Sequence, residues 1–218
     1  MKYFYISGTA NRHFEVDNNG VFDKLKLVLL YLFRLNAVTC DMMLEEEEIN
    51  KLIHSEDVQF DLVIMEAFFN ECFLGFVHKF KAPLIQVCVF SGTHWMGDWF
   101  GNRNPYAFIP DVFSSFSNRM DFWERLVNTI TGTLVRFVRQ HLYIPDQDEN
   151  LKKHFGFLEG LPSVTELEYN TSLLLLNHHF SIGHPRPLMP AMVQVGGLHL
   201  KLAKKLPQVC IIYMLYSK

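Results

Sequence analysis

Residues 60–90, FDLVIMEAFFNECFLGFVHKFKAPLIQVCVF, contain the pattern that decides the fold. The run Phe60–Met65 is short and almost wholly apolar, which is typical of a strand buried on both faces of a parallel sheet. In Phe69–Phe80 large apolar side chains recur at helical spacing, and a proline then ends the helix. Leu84–Phe90 is a second apolar run. The segment therefore predicts a strand, a helix and a second strand parallel to the first.

The loops after these two strands are where such a fold holds a ligand. Parallel strand–helix–strand units close right-handedly, and open sheets of this class bind ligands beyond the carboxyl ends of their strands. Residues 66–70 and 90–101 are therefore predicted to line a site. The second loop mixes turn residues with flat aromatic side chains, which suits an apolar ligand wall.

Segments on both sides of this unit extend the sheet. Lys2–Ser7 and Ser172–Leu176 are predicted strands, and Val193–Val195 returns to a sheet after a proline-rich crossing. Val21–Leu35 and Asp121–Leu142 carry helical apolar stripes, and we expect the second to lie over the sheet. The predicted fold class is α/β, with a Rossmann-like parallel sheet flanked by helices.

The amino-acid composition and net charge exclude some classes of protein. Of the 218 residues, 49% are hydrophobic and 20% charged, which is typical of a globular protein and excludes disorder. The net charge is −3 and the basic residues are dispersed, so nucleic-acid binding is not expected. The cysteines are widely spaced without a paired motif and are predicted to be buried thiols: Cys40, Cys72, Cys88 and Cys210.

Neither end of the chain predicts a membrane segment. The amino-terminal residues lack the apolar core of a secretory signal. The longest apolar runs fall far short of the ~20 residues that span a bilayer. Between the ends, Asp41 is predicted to cap a helix whose early turns contain the acidic run Glu45–Glu48, where negative charge is favourable.

Four blocks, taken in order, resemble the UDP-glucuronosyl and UDP-glucosyl transferases of animals, most closely their insect members. Phe60–Gly75 resembles the strand and helix of the acceptor domain. NPYAFIP at Asn104–Pro110 resembles the family's asparagine-proline-x-tyrosine-valine-proline block, and MDFWERLVN at Met120–Asn128 resembles its phenylalanine-x-glutamate-arginine helix. Leu175–Pro207, which contains VGGLHLKLAKKLP, resembles the sequence leading to the sugar-nucleotide domain. The resemblance covers about residues 58–207.

The resemblance implies a GT-B transferase, whose amino-terminal half holds a lipophilic acceptor and whose carboxyl-terminal half holds the UDP-sugar. Residues 1–195 are then expected to be a partial acceptor-binding domain, 196–207 the start of the interdomain linker and 208–218 an aberrant tail. A donor-binding domain and a membrane anchor are not expected in this sequence. The chain alone is therefore expected to be inactive and to need no cofactor, with UDP-sugar as the implied donor.

The resemblance also bears on the cellular compartment and on the partners of the chain. The family resides in the endoplasmic reticulum membrane, but this sequence assigns no compartment. An alternative function is a noncatalytic small-molecule binder, or a regulatory truncated isoform that dimerises with full-length family members.

The chemistry of inverting sugar transfer suggests the site residues. A base takes the acceptor hydroxyl proton, and a histidine oriented by a carboxylate supplies it. The resemblance places that histidine upstream of this chain, and the surroundings of His13 do not match it. The resemblance also places Glu66 at the position of the family's orienting acid. Glu71 lies five residues further on, so both are candidates. The predicted lining of the acceptor cavity is aromatic: Phe68, Phe69, Phe90, His94, Trp95 and Trp99.

Two further features lie outside this site. Asn170-Thr171-Ser172 is a glycosylation sequon, which matters only if the chain enters the secretory pathway. His178 and His179 are adjacent on a strand end, so their side chains should point apart. No metal site is expected, because no cysteine or carboxylate cluster accompanies these histidines.

Overall fold

Five parallel strands form one sheet, in the order in which they occur along the chain. The computed structural model describes the backbone of residues 3–6 and, with side chains, residues 33–181, 183–198 and 200–201. The strands are β1 (Tyr3–Ile6), β2 (Leu62–Glu66), β3 (Leu84–Cys88), β4 (Thr171–Leu176) and β5 (Met192–Gln194). The predicted α/β fold, a Rossmann-like parallel sheet flanked by helices, is confirmed.

The helices complete the fold. They are α1 (Phe33–Glu45), α2 (Glu47–His54), α3 (Gly75–Phe80), α4 (His94–Asp98), α5 (Phe122–Val138), α6 (Ile144–Phe155) and α7 (Val164–Tyr169). A 3-10 turn (Glu71–Leu74) precedes α3, and a π-helical segment (Arg139–Tyr143) joins α5 to α6. In the described part of the chain, no helix is long and apolar enough to cross a bilayer.

One face of the sheet is buried along β2, β3 and β4. Along β3, Leu84, Gln86 and Cys88 are buried, whereas Ile85 and Val87 are only half-buried. The register places other buried side chains beside the first three, so they form one layer of the core. Sequential strand order with right-handed crossovers carries the connecting helices to the same face of a sheet, which accounts for this asymmetry.

A polar contact stabilises that buried layer. Gln86 Nε2 donates to Thr171 Oγ1 on the neighbouring strand at 3.0 Å, and Thr171 Oγ1 donates to the Glu168 carbonyl at 2.7 Å. A buried amide without partners would be costly, so this pairing lets a polar side chain lie inside the sheet.

The core also requires a glycine where the 3-10 turn passes into α3. A Cβ atom at Gly75 would lie 2.4–2.6 Å from the ring of Phe155. The absence of a side chain therefore allows α6 to pack directly on this turn. Phe155 is fully buried there and contacts Phe76 edge-on, with ring centroids 5.0 Å apart.

The structure corrects the prediction for two cysteines. Cys40 of α1 and Cys72 of the 3-10 turn form a disulfide across a Cα–Cα distance of 6.3 Å, rather than remaining thiols. Sequence spacing did not reveal the pair because the turn and α1 meet only in the folded chain. Cys88 is a buried thiol as predicted, and burial raises its pKa to about 11. Cys210 lies outside the described residues.

Helix boundaries differ from the prediction around Asp41. This residue does not cap a helix but lies inside α1, which runs on to Glu45. Its carboxylate pairs with Lys153 and His154 of α6, at 2.8 and 2.6 Å. The pairing across helices makes an interior position favourable for a residue type that usually caps. Most of the predicted Val21–Leu35 helix lies outside the described residues.

The expectation that the apolar stripe of Asp121–Leu142 covers the sheet is wrong. A helix forms as predicted, but α5 turns its polar face inward and its apolar face outward. The inward face carries Asn128, Thr131, Gly132 and Val135, and the buried Arg139 continues it into the π-helical segment.

Hydrogen bonds from Asn128 explain this orientation. Its side chain donates to the carbonyls of Tyr106 and Ile109, and accepts from the backbone N–H of Asp111. The Tyr106 ring lies directly on Gly132, where a Cβ would approach it to 2.2 Å. These contacts fix the loop after α4 to the polar face of α5, so the apolar face is left outside.

Candidate functional site

The carboxyl ends of β2 and β3 bring four of the predicted site residues to one edge of the sheet. Glu66 is the last residue of β2 and lies beside Val87 of β3. Phe68 contacts Phe69 at 4.1 Å and Phe90 at 5.0 Å between ring centroids. We call Glu66, Phe68, Phe69 and Phe90 the edge cluster.

The members of the edge cluster differ in exposure. Phe68, Phe90 and Glu66 are half-buried, so a ligand at this edge would reach them, whereas Phe69 is 6% exposed. Phe69 has a φ of 56°, a conformation that is rare for a bulky residue and costs about 1–3 kcal/mol. Its ring contacts Phe33, Trp95 and Tyr143, which hold it in place. The buried ring of Phe69 therefore packs against Phe68 and supports the edge cluster.

Glu71 lies in a different environment from Glu66. Its carboxylate accepts a hydrogen bond from Arg139 at 2.8 Å and one from the Tyr143 hydroxyl. Arg139 also pairs with Glu168 at 2.5 Å, and its guanidinium lies 5.1 Å from the centre of the Trp95 ring. All of these side chains are buried. We call Glu71, Arg139, Tyr143 and Glu168 the Arg139 cluster.

The Arg139 cluster holds two buried carboxylates against one buried guanidinium. Burial raises the pKa of Glu168 to about 7, although Arg139 opposes this. Burial acts against the charge of Arg139, but Glu168 and Glu71 outweigh it and raise its pKa. Burial, together with the neighbouring Glu71, also raises the pKa of Tyr143 well above its usual value. The cluster is therefore a buried ionic network in which Glu168 titrates near neutrality.

Trp95 and Trp99 face a small cavity next to this cluster. The cavity has a volume of about 50 Å³, and its wall includes Arg139, Glu168 and Tyr169. A water molecule needs roughly 10–15 Å³ of such volume, so this space suits a few waters and is too small for a lipophilic acceptor. The structure therefore brings Trp95 and Trp99 to the Arg139 cluster, and Trp95 also contacts Phe69 of the edge cluster.

His94 forms a buried pair that sequence reasoning did not identify. Its Nδ1 lies 3.1 Å from Asp111 Oδ2, and its ring stacks on Tyr106 at 4.2 Å. Within the described chain, the buried Nε2 atom has no hydrogen-bond partner. Asp111 is 17 residues further along the sequence, so no local spacing connects the two. The pair anchors the loop after β3.

The described residues contain one cluster of potential metal ligands, and the adjacent histidines His178 and His179 lie elsewhere in the chain. Asp41, Glu45 and His154 present ligand atoms within 4.8 Å of one another, but Lys153 Nζ already lies 2.8 Å from both carboxylates. Hydrogen bonds from Lys153 and His154 lower the pKa of Asp41, as expected for an ion-pair network. His178 is buried whereas the adjacent His179 is exposed.

The sequon lies between α7 and β4. Asn170 and Ser172 are exposed, whereas Thr171 between them is buried. Its use for glycosylation stays a prediction. His13 lies outside the described residues, as do residues 202–218, which include the predicted tail.

Comparisons with known proteins agree with the fold and with the motifs. The family described as "UDP-glucoronosyl and UDP-glucosyl transferase" matches residues 4–217. UDP-glucosyltransferase 2 of Dactylopius coccus is 34% identical over 202 residues, which cover 91% of this chain and 38% of the relative. UDP-glucuronosyltransferase 3A2 of Homo sapiens is 31% identical over 191 residues, covering 87% of this chain and 34% of the relative.

A third relative is named as a galactosyltransferase. The 2-hydroxyacylsphingosine 1-beta-galactosyltransferase of Rattus norvegicus is 28% identical over 206 residues, covering 89% of this chain and 37% of the relative. The chain thus spans between 34% and 38% of the length of these three relatives. On the extent of the family match and these identities, the chain belongs to the UDP-glucuronosyl and UDP-glucosyl transferase family.

Proposed function

We propose that this chain supplies the acceptor-binding part of a UDP-glycosyltransferase, and that the edge cluster holds a lipophilic acceptor. The observation that carries the proposal is the meeting of Phe68 and Phe90 at the carboxyl edge of the parallel sheet, 5.0 Å apart and half-buried. Ligand sites in such sheets lie beyond this edge, and apolar ligands favour aromatic walls with few polar groups. The name of the sphingolipid-acting relative is compatible with an acceptor of this chemistry.

Glu66 is the carboxylate we assign to the acceptor site. It ends β2 at the same edge as Phe68 and Phe90, where it would orient a histidine base that takes the proton of the acceptor hydroxyl. Glu71 is the weaker candidate, because Arg139 and Tyr143 already bind both of its oxygens. This assignment makes Glu66 a positioning residue and Glu71 part of the buried framework.

We further propose that the 218-residue chain binds acceptor without transferring sugar. It spans only about a third of the length of relatives named as transferases, so the UDP-sugar site is assigned to the part of those relatives that the chain does not match. Incubating the purified chain with radiolabelled UDP-glucose and 1-naphthol should give no labelled glucoside. Turnover by the chain alone would contradict this part of the proposal.

The acceptor site is tested by calorimetric titration of 1-naphthol. Phe90→Ala removes half of the aromatic wall, and we expect it to weaken binding about 10-fold, since a buried aromatic contact contributes on the order of 1–2 kcal/mol. Phe157→Ala is the matched control, because Phe157 is also a partly exposed phenylalanine but stacks on His54 instead. Equal affinity of the two variants, or no binding by the wild-type chain, would overturn the assignment.

A further inference from the structure

The part of the sequence that follows α7 lacks negatively charged side chains. From Tyr169 to Lys218 it contains no aspartate and no glutamate. The crossing from β4 to β5 nevertheless carries four basic residues: His178, His179, His184 and Arg186. A charged group that leaves water needs an opposite charge. The charge of Arg186 therefore has to be compensated from another part of the fold or from a ligand.

Arg186 lies at the carboxyl edge of the sheet, beside the loop that carries Phe90. Its two terminal nitrogens donate to a single acceptor, the Gly92 carbonyl, at 3.3 and 3.4 Å. Gly92 is two residues after Phe90, so their Cα atoms are at most about 7 Å apart. Asn177 donates to the Val89 carbonyl at 3.2 Å and ties the start of the crossing to the same loop. The guanidinium therefore lies at the edge that holds the edge cluster.

The charge of Arg186 has no carboxylate partner among the described residues. By contrast, Arg139 pairs with two glutamates, and Arg136 pairs with Asp98. Arg186 is half-buried, and burial lowers its pKa. A guanidinium has five N–H donors in a planar fork that matches a carboxylate, and one carbonyl cannot use them all. An anionic ligand group would supply both the opposite charge and the missing acceptors.

His178 adds a second unsatisfied polar group to this region. The residue is 7% exposed, and in the described part of the chain its Nε2 atom has no hydrogen-bond partner. Burial lowers the pKa of His178, and the nearby charge of Arg186 acts in the same direction. The two side chains therefore share one electrostatic environment, which favours a negatively charged group.

We propose that Arg186 is a specificity-determining residue that binds a carboxylate carried by the acceptor. The inference rests on the acceptor site proposed above and names the class of acceptor, an aromatic hydroxy acid. Its ring packs on Phe68 and Phe90, and its carboxylate pairs with the guanidinium of Arg186. The carboxylate serves recognition, and the hydroxyl remains the group that accepts sugar.

Three ligands with one ring system separate the effect of charge from that of shape. They are 2-naphthol, 6-hydroxy-2-naphthoate and the methyl ester of that acid, each titrated calorimetrically into the 218-residue chain at pH 7. We expect the carboxylate to bind about 10-fold more tightly than the ester, because hydrogen bonds to a charged group are stronger than neutral ones. Equal affinity for the carboxylate and the ester would overturn the proposal.

Substitution of Arg186 tests whether this residue is the source of the preference. Arg186→Met should weaken binding of the carboxylate about 10-fold and leave the ester and 2-naphthol unchanged. Arg186→Lys keeps the charge but not the planar fork, so it should retain part of the preference. Arg119→Met is the control for the loss of one positive charge, because Arg119 is exposed in the loop before α5. Equal weakening of all three ligands by Arg186→Met would show that Arg186 only holds the loop after β3, and would contradict the proposal.

The acceptor site and the carboxylate preference fail on different outcomes of these titrations. If 2-naphthol binds but the carboxylate binds no more tightly than the ester, the acceptor site stands and the role of Arg186 is wrong. If only the carboxylate binds, the role of Arg186 stands and the aromatic site is wrong. Binding of none of the three ligands would overturn both.

Discussion

Among single residues, Arg139 has the largest expected effect on stability. It is fully buried between Glu71 and Glu168, and its guanidinium lies over Trp95. Burying one charge between two opposite ones is tolerated only because every pair is short and hydrogen-bonded. Removing the central cation would leave two carboxylates buried without their partner.

Arg139→Met should therefore destabilise the chain by about 3–5 kcal/mol, the range found when one partner of a buried ion pair is removed. Arg125→Met on α5, the helix that leads into the π-helical segment of Arg139, is the control, since Arg125 is exposed and its loss should cost less than about 1 kcal/mol. Urea denaturation measures both values. Equal midpoints for the two variants would show that the Arg139 cluster contributes nothing.

Titration of Glu168 makes the free energy of unfolding depend on pH. Its pKa is raised from 4.5 to about 7 by burial, so the folded state binds its proton more tightly than the unfolded state does. The stabilisation of the folded state by the protonated form of Glu168 is therefore complete below pH 4.5. It is lost as the pH rises from 4.5 through 7.

Glu168→Gln should remove this dependence. The stability of the wild type relative to the variant should fall between pH 5 and pH 8, as measured by urea unfolding at several pH values. The comparison with the variant is needed because the lowered pKa of His178, caused mainly by burial, acts in the opposite direction near pH 6. Parallel pH profiles for the two proteins would contradict the assigned titration of Glu168.

The site residues show how far sequence reasoning extends at this scale. Apolar runs identify the strand ends, so the sequence places Glu66, Phe68 and Phe90 at one edge of the sheet, while their role in acceptor binding stays a proposal. The pairs His94 with Asp111 and Glu71 with Arg139 were not found. Their members are 17 and 68 residues apart, and only the folded chain brings them together.

At the scale of elements, α5 shows what a hydrophobic period does and does not specify. The period identified the helix and the residues that share a face, but not which face is buried. That choice is made by long-range polar contacts of Asn128 and Arg139, which outweigh the apolar face. By contrast, the five strands were predicted closely because buried parallel strands need only a short apolar run.

The disulfide between α1 and the 3-10 turn is expected to stabilise the way these two elements pack. It closes a segment of 32 residues, for which restriction of the unfolded chain gives about 3–4 kcal/mol. The double variant Cys40→Ser, Cys72→Ser should therefore melt at a lower temperature than the oxidised wild type. Reducing agent should lower the melting temperature of the wild type to that of the variant and leave the variant unchanged. Coincident melts of oxidised and reduced wild type would contradict a stabilising role.

For the whole molecule, two features together support the proposed function. Phe68 and Phe90 meet at the carboxyl edge of the parallel sheet, where sheets of this class bind ligands, and the chain matches about a third of the length of relatives named as transferases. Acceptor binding and sugar-nucleotide binding are therefore expected to be separable, with only the first belonging to these residues.

Paired calorimetric titrations of the 218-residue chain with 1-naphthol and with UDP-glucose test this claim most directly. The account predicts saturable binding of 1-naphthol, lost selectively in Phe90→Ala, and no heat of binding from UDP-glucose. Binding of UDP-glucose without binding of 1-naphthol would contradict it.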